Sequence, residues 1–92
     1  MKKLFKGGDK VLFMWEGVRC GGWIVNEWEK DRRKYIKIHV VGKPFPKLGD
    51  IVALHPTADL SDKQLRCKVI EIMIYDSFER SAAHMTVELP KP

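Results

Sequence analysis

Cysteine is scarce in this chain, with only Cys20 and Cys67 among 92 residues. Two are too few for a disulfide-framed mini-protein, and no C-x-x-C or H-x3–5-H spacing marks a zinc site. Long apolar runs are also missing. The longest, Val69 to Tyr75, is interrupted by Glu71 and falls well short of the roughly 18 residues that a membrane helix needs. The opening MKKLFKGGDK has lysines but no apolar segment behind them, which is not a secretory pattern. A reducing, cytoplasmic setting is therefore expected. Catalytic signatures are absent as well. There is no serine elbow and no phosphate loop, since Gly7-Gly8 alone is not one. Asp50 and His55 lie an odd number of residues apart, which puts them on opposite faces of a strand. No nucleophile–base pair emerges, so the expectation is a non-enzymatic protein without a cofactor.

What is present suits one small folded domain spanning residues 1–92. The apolar fraction is 45% and the charged fraction 32%, ordinary to slightly high for a globular chain. At this length folding buries roughly 60–65% of the unfolded surface, enough for one modest core. The net charge of +5 is unevenly spread. Residues 1–44 carry eleven Lys/Arg against five Asp/Glu, and residues 45–92 carry six against seven. A basic first half points to a polyanionic partner.

The dominant pattern has the two-residue period of strands. Lys10–Trp15 puts Val11, Phe13 and Trp15 on one face, and Glu16-Gly17 offers turn chemistry into a second strand from Val18 to Trp28. The pair Gly21-Gly22 inside that strand predicts a bulge or bend. The charged run Glu29–Lys34 reads as a connecting loop. In Tyr35–Val41, Ile36, Ile38 and Val40 face in while Tyr35, Lys37 and His39 face out. Gly42–Gly49, with two prolines and two glycines, is a linker. Asp50–His55 is a fourth strand, followed by a polar loop to Gln64 with room for one helical turn after Asp59. Leu65–Asp76 is a fifth strand whose inward parity switches near Val69 and Ile70, as expected of a strand that bends in a closed barrel. Ser77 is placed to cap a short helix over residues 78–83, with a sixth strand from His84 to Leu89 and a frayed tail beyond it.

The two halves, about 8–42 and 49–89, resemble each other. Gly8-Asp9-Lys10-Val11 recurs as Gly49-Asp50-Ile51-Val52, Arg19-Cys20 as Arg66-Cys67, and His39-Val40 has a parallel in His84–Val87. Two three-stranded units packed together would close a six-stranded barrel and leave no free edge. The fold expected is thus all-β, a small SH3-like or PUA-like barrel with one short helix.

Chemistry concentrates in Lys30, Arg32, Arg33 and Lys34, leading into outward Tyr35 and Lys37. Cations beside an aromatic ring serve phosphate neutralisation and base stacking together. Trp28, flanked by Glu27 and Glu29, is the tryptophan expected at the surface; Trp15 and Trp23 are expected in the core. Cys20, His39, Cys67 and His84 would form a metal site only if the halves brought equivalent positions together. Because free cysteines are ordinarily buried apolar residues, no metal is assigned.

Leu48-Gly-Asp-Ile-Val52, Cys67-Lys-Val-Ile-Glu71 and Tyr75-Asp-Ser-Phe-Glu79 together resemble the later part of ASCH domains, a branch of the PUA-like barrels. That resemblance implies a β-barrel that binds RNA or a modified nucleotide. Residues 8–42 are similar to SH3-like barrels such as KOW modules in their Gly-Asp strand, glycine-rich turn and basic third strand. The leading expectation is a nucleic-acid-binding barrel, for RNA or DNA, of low sequence specificity. The alternative is a protein-interaction adaptor, of the phage-encoded host-takeover kind, that grips its partner through Trp28. A monomer and a homodimer both fit.

Overall fold

The computed structural model describes residues 5–42, 44–55, 64–76 and 80–91. Six antiparallel strands account for most of them: β1 (Lys10–Trp15), β2 (Val18–Lys30), β3 (Arg33–Val41), β4 (Ile51–His55), β5 (Leu65–Asp76) and β6 (Ser81–Glu88). They close into a barrel in the order β1-β2-β3-β6-β5-β4, with β4 paired back onto β1. Closure supplies backbone partners on both sides of every strand and removes the edges. Among the described residues there is no helix, and so none long and apolar enough to cross a membrane.

The alternation read in the sequence becomes the barrel interior. Val11, Phe13 and Trp15 of β1 meet Ile36, Ile38 and Val40 of β3, Val52 and Leu54 of β4, and Ala83, Met85 and Val87 of β6. Phe5, Phe45 and Leu89 are also buried in this cluster, so the proline-rich linker contributes a core side chain as well as a connection. Trp15 is buried and donates from its indole nitrogen to Asp50 Oδ2 at 2.9 Å.

The two halves are built alike. In each, a Lys-x-Gly-Asp turn precedes a strand. The Lys6 and Lys47 amides donate to Asp9 Oδ2 (3.0 Å) and Asp50 Oδ2 (2.9 Å), and the aspartate amides donate back to the lysine carbonyls. Gly8 and Gly49 take φ of 90° and 88°, the left-handed conformation that a residue without Cβ adopts cheaply. Both turns then bond to the neighbouring strand, Asp9 accepting from the Ile24 amide and Asp50 from the Val69 amide. Each strand bulges at the next residue, Val25 and Ile70.

Several local expectations are corrected. The bulge of β2 lies at Val25, whereas Gly21 and Gly22 keep regular pairing with Leu12 and Val11. Glycine is needed at 22 because a Cβ there would stand 2.6 Å from the His39 carbonyl oxygen. The charged run is mostly strand: β2 and β3 run to Lys30 and from Arg33, and only Asp31 and Arg32 turn. Their φ of 52° and 66° are those of a tight type I′ hairpin. The helix placed at 78–83 is strand over Ser81–Ala83; its cap Ser77 and residues 78 and 79 lie outside the described residues. Pairing with β5 and, at Ala82 and Ala83, with β3 overrides the local helix preference of alanine. The helical turn after Asp59 also lies outside the described residues. Because Ile24 matches Val69, Cys20 corresponds to Leu65 rather than to Cys67, so the Arg-Cys likeness is out of structural register by two residues.

Candidate nucleic-acid interface

The parity of each strand decides what its outer surface carries. On the wall formed by β2, β3, β6 and β5, three rows of outward side chains run across the strands. The first is Trp28–Tyr35–Glu88–Lys68, the second Asn26–Lys37–Thr86–Glu71, and the third Trp23–His39–His84–Met73.

The two-residue turn at Asp31–Arg32 fixes the register that sets Trp28 opposite Tyr35. Their rings stack at 5.6 Å between centroids, with planes 24° apart. Neither ring is fully buried. Trp28, Tyr35, Lys30, Lys37, Thr86, Ile70 and Glu71 line an open groove of about 350 Å³. Ile70 is there because the bulge turns it outward, 39% exposed beside buried Val69. Four of the seven residues expected at the site thus share one groove.

The others do not. Arg32 is exposed at the hairpin tip. Arg33 lies 3.4 Å from Glu88, a part-exposed pair of the kind worth about 0–1 kcal/mol. Lys34 has the opposite parity, and its carbonyl accepts from the Leu89 amide at 2.9 Å. Glu27, next to Trp28, faces inward after the bulge, is 2% exposed, and accepts from the Phe5 amide at 3.0 Å.

The third row adds residues outside the seven expected at the nucleic-acid site, His39 and His84 among them, which the sequence raised only as part of a conditional metal site with the two cysteines. Trp23, expected in the core, is 45% exposed, because β2 turns Ile24 inward on one side of it and keeps Gly22 against β3 on the other. Its ring lies 6.3 Å from that of His39. His84 Nε2 and His39 Nδ1 share a hydrogen bond of 3.1 Å, and Tyr75 packs edge-on against His84 at 5.2 Å. Outward His39 was legible from alternation; its direct opposition to His84 required the β3–β6 register. The cysteines stay apart from this row. Cys67 is in the core, where burial pushes its thiol up to about 12, and Cys20 sits opposite Phe13. Among the described residues, no three His, Cys, Asp or Glu side chains are grouped to hold a metal ion.

Desolvation, and then the positive charge of His39 and Lys37, hold the His84 imidazole below its ordinary range. The unfolded chain therefore takes up this proton first as pH falls. The contribution of neutral His84 to stability is complete above about pH 6.5, the ordinary value. It declines as pH drops from there through the lower folded value. Urea midpoints at pH 7.5 and 5.5 are expected to fall more for the native chain than for His84→Gln; equal falls would remove His84 from the pH response.

The chain matches no protein-family model, and neither a curated protein nor a solved structure matches it.

Proposed function

We propose that this protein binds single-stranded nucleic acid, RNA or DNA, with low sequence specificity and without catalysis, in the cytoplasm. The observation that carries this reading is the stacked Trp28–Tyr35 pair in one open groove with Lys30 and Lys37. Aromatic rings offer a stacking face to any base, and lysines neutralise phosphates without reading sequence. A duplex keeps its base faces covered, whereas a single strand presents them, so the aromatic component favours the single strand. Arg32 and Lys68, both exposed, and Arg33 extend the positive rim; Glu71 and Glu88 temper it and limit nonspecific retention of any polyanion.

Fluorescence anisotropy with labelled single-stranded RNA, single-stranded DNA and duplex DNA tests this directly. Single strands are expected to bind more tightly than the duplex, with a log–log salt slope of about −0.7 per phosphate neutralised. Trp28→Ala is expected to cost about 1–3 kcal/mol, the range for one stacked base. Absence of binding to every probe at about 50 mM salt, the low end of the range over which phosphate-driven binding weakens, would overturn the reading. The Trp28 groove would then be better tested against protein partners.

A further inference from the structure

The third row of the outer wall has a chemistry that nucleic-acid binding does not use. We propose that His39 and His84 form a two-nitrogen chelate for a late first-row divalent cation, with Cu2+ preferred over Zn2+.

The argument begins with strand register. Lys34 accepts from Leu89, and the Gly42 amide donates to Ser81. Both of these opposed pairs are of the hydrogen-bonded type, and such pairs alternate along an antiparallel ladder with non-hydrogen-bonded ones. His39 and His84, at odd steps between them, therefore form a non-hydrogen-bonded pair, the type in which opposed side chains come closest. The barrel holds both strands on their far sides as well, β3 by β2 and β6 by β5, so the spacing belongs to the fold rather than to a loop.

That spacing matches a metal's requirement. Two imidazole nitrogens each about 2.05 Å from one ion stand about 2.9 Å apart at a right angle and about 3.3 Å apart at the tetrahedral angle. His39 Nδ1 and His84 Nε2 are 3.1 Å apart. Neither ring is buried, so solvent can complete the coordination. In the hydrogen-bonded pair one imidazole donates its proton to the other. Chelation requires that imidazole to carry its proton on its other ring nitrogen instead, a neutral tautomer change with no net proton release. Each ring must also rotate so that its lone pair points off the line between the two nitrogens, toward a common ion. Two imidazoles with solvent follow the general order in which Cu2+ binds more tightly than Zn2+. Lys37, the nearest charged neighbour on the same strand, opposes any cation here, while Met73 and Tyr75 flank His84 from β5 without charge.

Trp23 supplies an internal reporter, since its ring is 6.3 Å from His39 and a paramagnetic ion bound there quenches it. The test is titration of the intact protein with CuCl2 and with ZnCl2, in a non-coordinating buffer at pH 7.5, following tryptophan emission and heat. Saturable 1:1 Cu2+ binding with quenching is expected, with weaker Zn2+ binding. His84→Gln and His39→Gln should each weaken Cu2+ by about tenfold or more, or about 1.4 kcal/mol, while keeping the circular dichroism of the native barrel. Trp23→Phe should keep the heat and lose most of the quenching. Cu2+ affinity unchanged in both glutamine variants, or no saturable binding in the native chain, would overturn the proposal. Anisotropy with the glutamine variants separates this site from the groove, because their nucleic-acid affinity should stay within about twofold of native, or under about 0.5 kcal/mol.

Discussion

The double reversal Lys30→Glu with Lys37→Glu is expected to weaken single-stranded nucleic-acid binding by about 100-fold or more, or about 2.8 kcal/mol. Both lysines line the same groove as the stacked Trp28 and Tyr35, so each reversal takes a cation away from the phosphates and adds a repulsive charge to the groove that already holds Glu71. Beyond the fall in affinity, the salt slope should shrink by about 0.7 for each phosphate of a single strand that is no longer neutralised. Reversal of Arg32 alone should do less. It stands at the hairpin tip, outside the groove, where salt screens its charge. If the Lys30/Lys37 variant binds as tightly as the native chain, with an unchanged salt slope, the groove is not the binding site. A stability measurement on the same variant guards against misreading, because an unfolded variant would lose binding for another reason. Substitutions at such exposed or half-exposed positions usually change stability by no more than about 0.5 kcal/mol.

Phe13→Ala is expected to be the most damaging single truncation. Phe13 is fully buried, is the largest of the fully buried side chains, and pairs with Cys20 on one side and Leu54 on the other. It therefore sits where the two halves join through β1 and β4. Truncating a buried phenylalanine costs about 3–5 kcal/mol, because its apolar packing disappears and a cavity remains. Domains of this size have roughly 5–15 kcal/mol in total. At about 4–8 °C per kcal/mol, the thermal midpoint should fall by more than about 12 °C. A midpoint within a few degrees of native would mean that the barrel closes around the gap. The β1–β4 seam would then be softer than its packing implies.

The sequence by itself determined where most of the strands run and, most cleanly in β3, which face turns inward. Ile36, Ile38 and Val40 alternate with Tyr35, Lys37 and His39, and a two-residue period has only one way to bury its apolar set. The Glu16-Gly17 turn was legible from Gly17, whose residue type suits the positive φ it adopts; Glu16 takes a positive φ as well, which its residue type does not favour. The switch of parity at Ile70 was legible too, because an inserted residue leaves its mark in the pattern. Trp23 and residues 81–83 were misread. In each case the deciding interaction comes from another strand: the close approach of Gly22 to the His39 carbonyl, and the pairing of β6 with β3 and β5.

Only the tertiary structure decided which outward residues become neighbours. Nothing local to Trp28 requires Tyr35 to stack on it; the type I′ turn at Asp31–Arg32 sets that register. Nothing local to His39 places it 3.1 Å from His84, 45 residues away. Alternation is written into each strand separately, because it depends only on the direction of successive side chains. Register depends on how turns, bulges and closure align the strands, and that alignment is a property of the whole barrel.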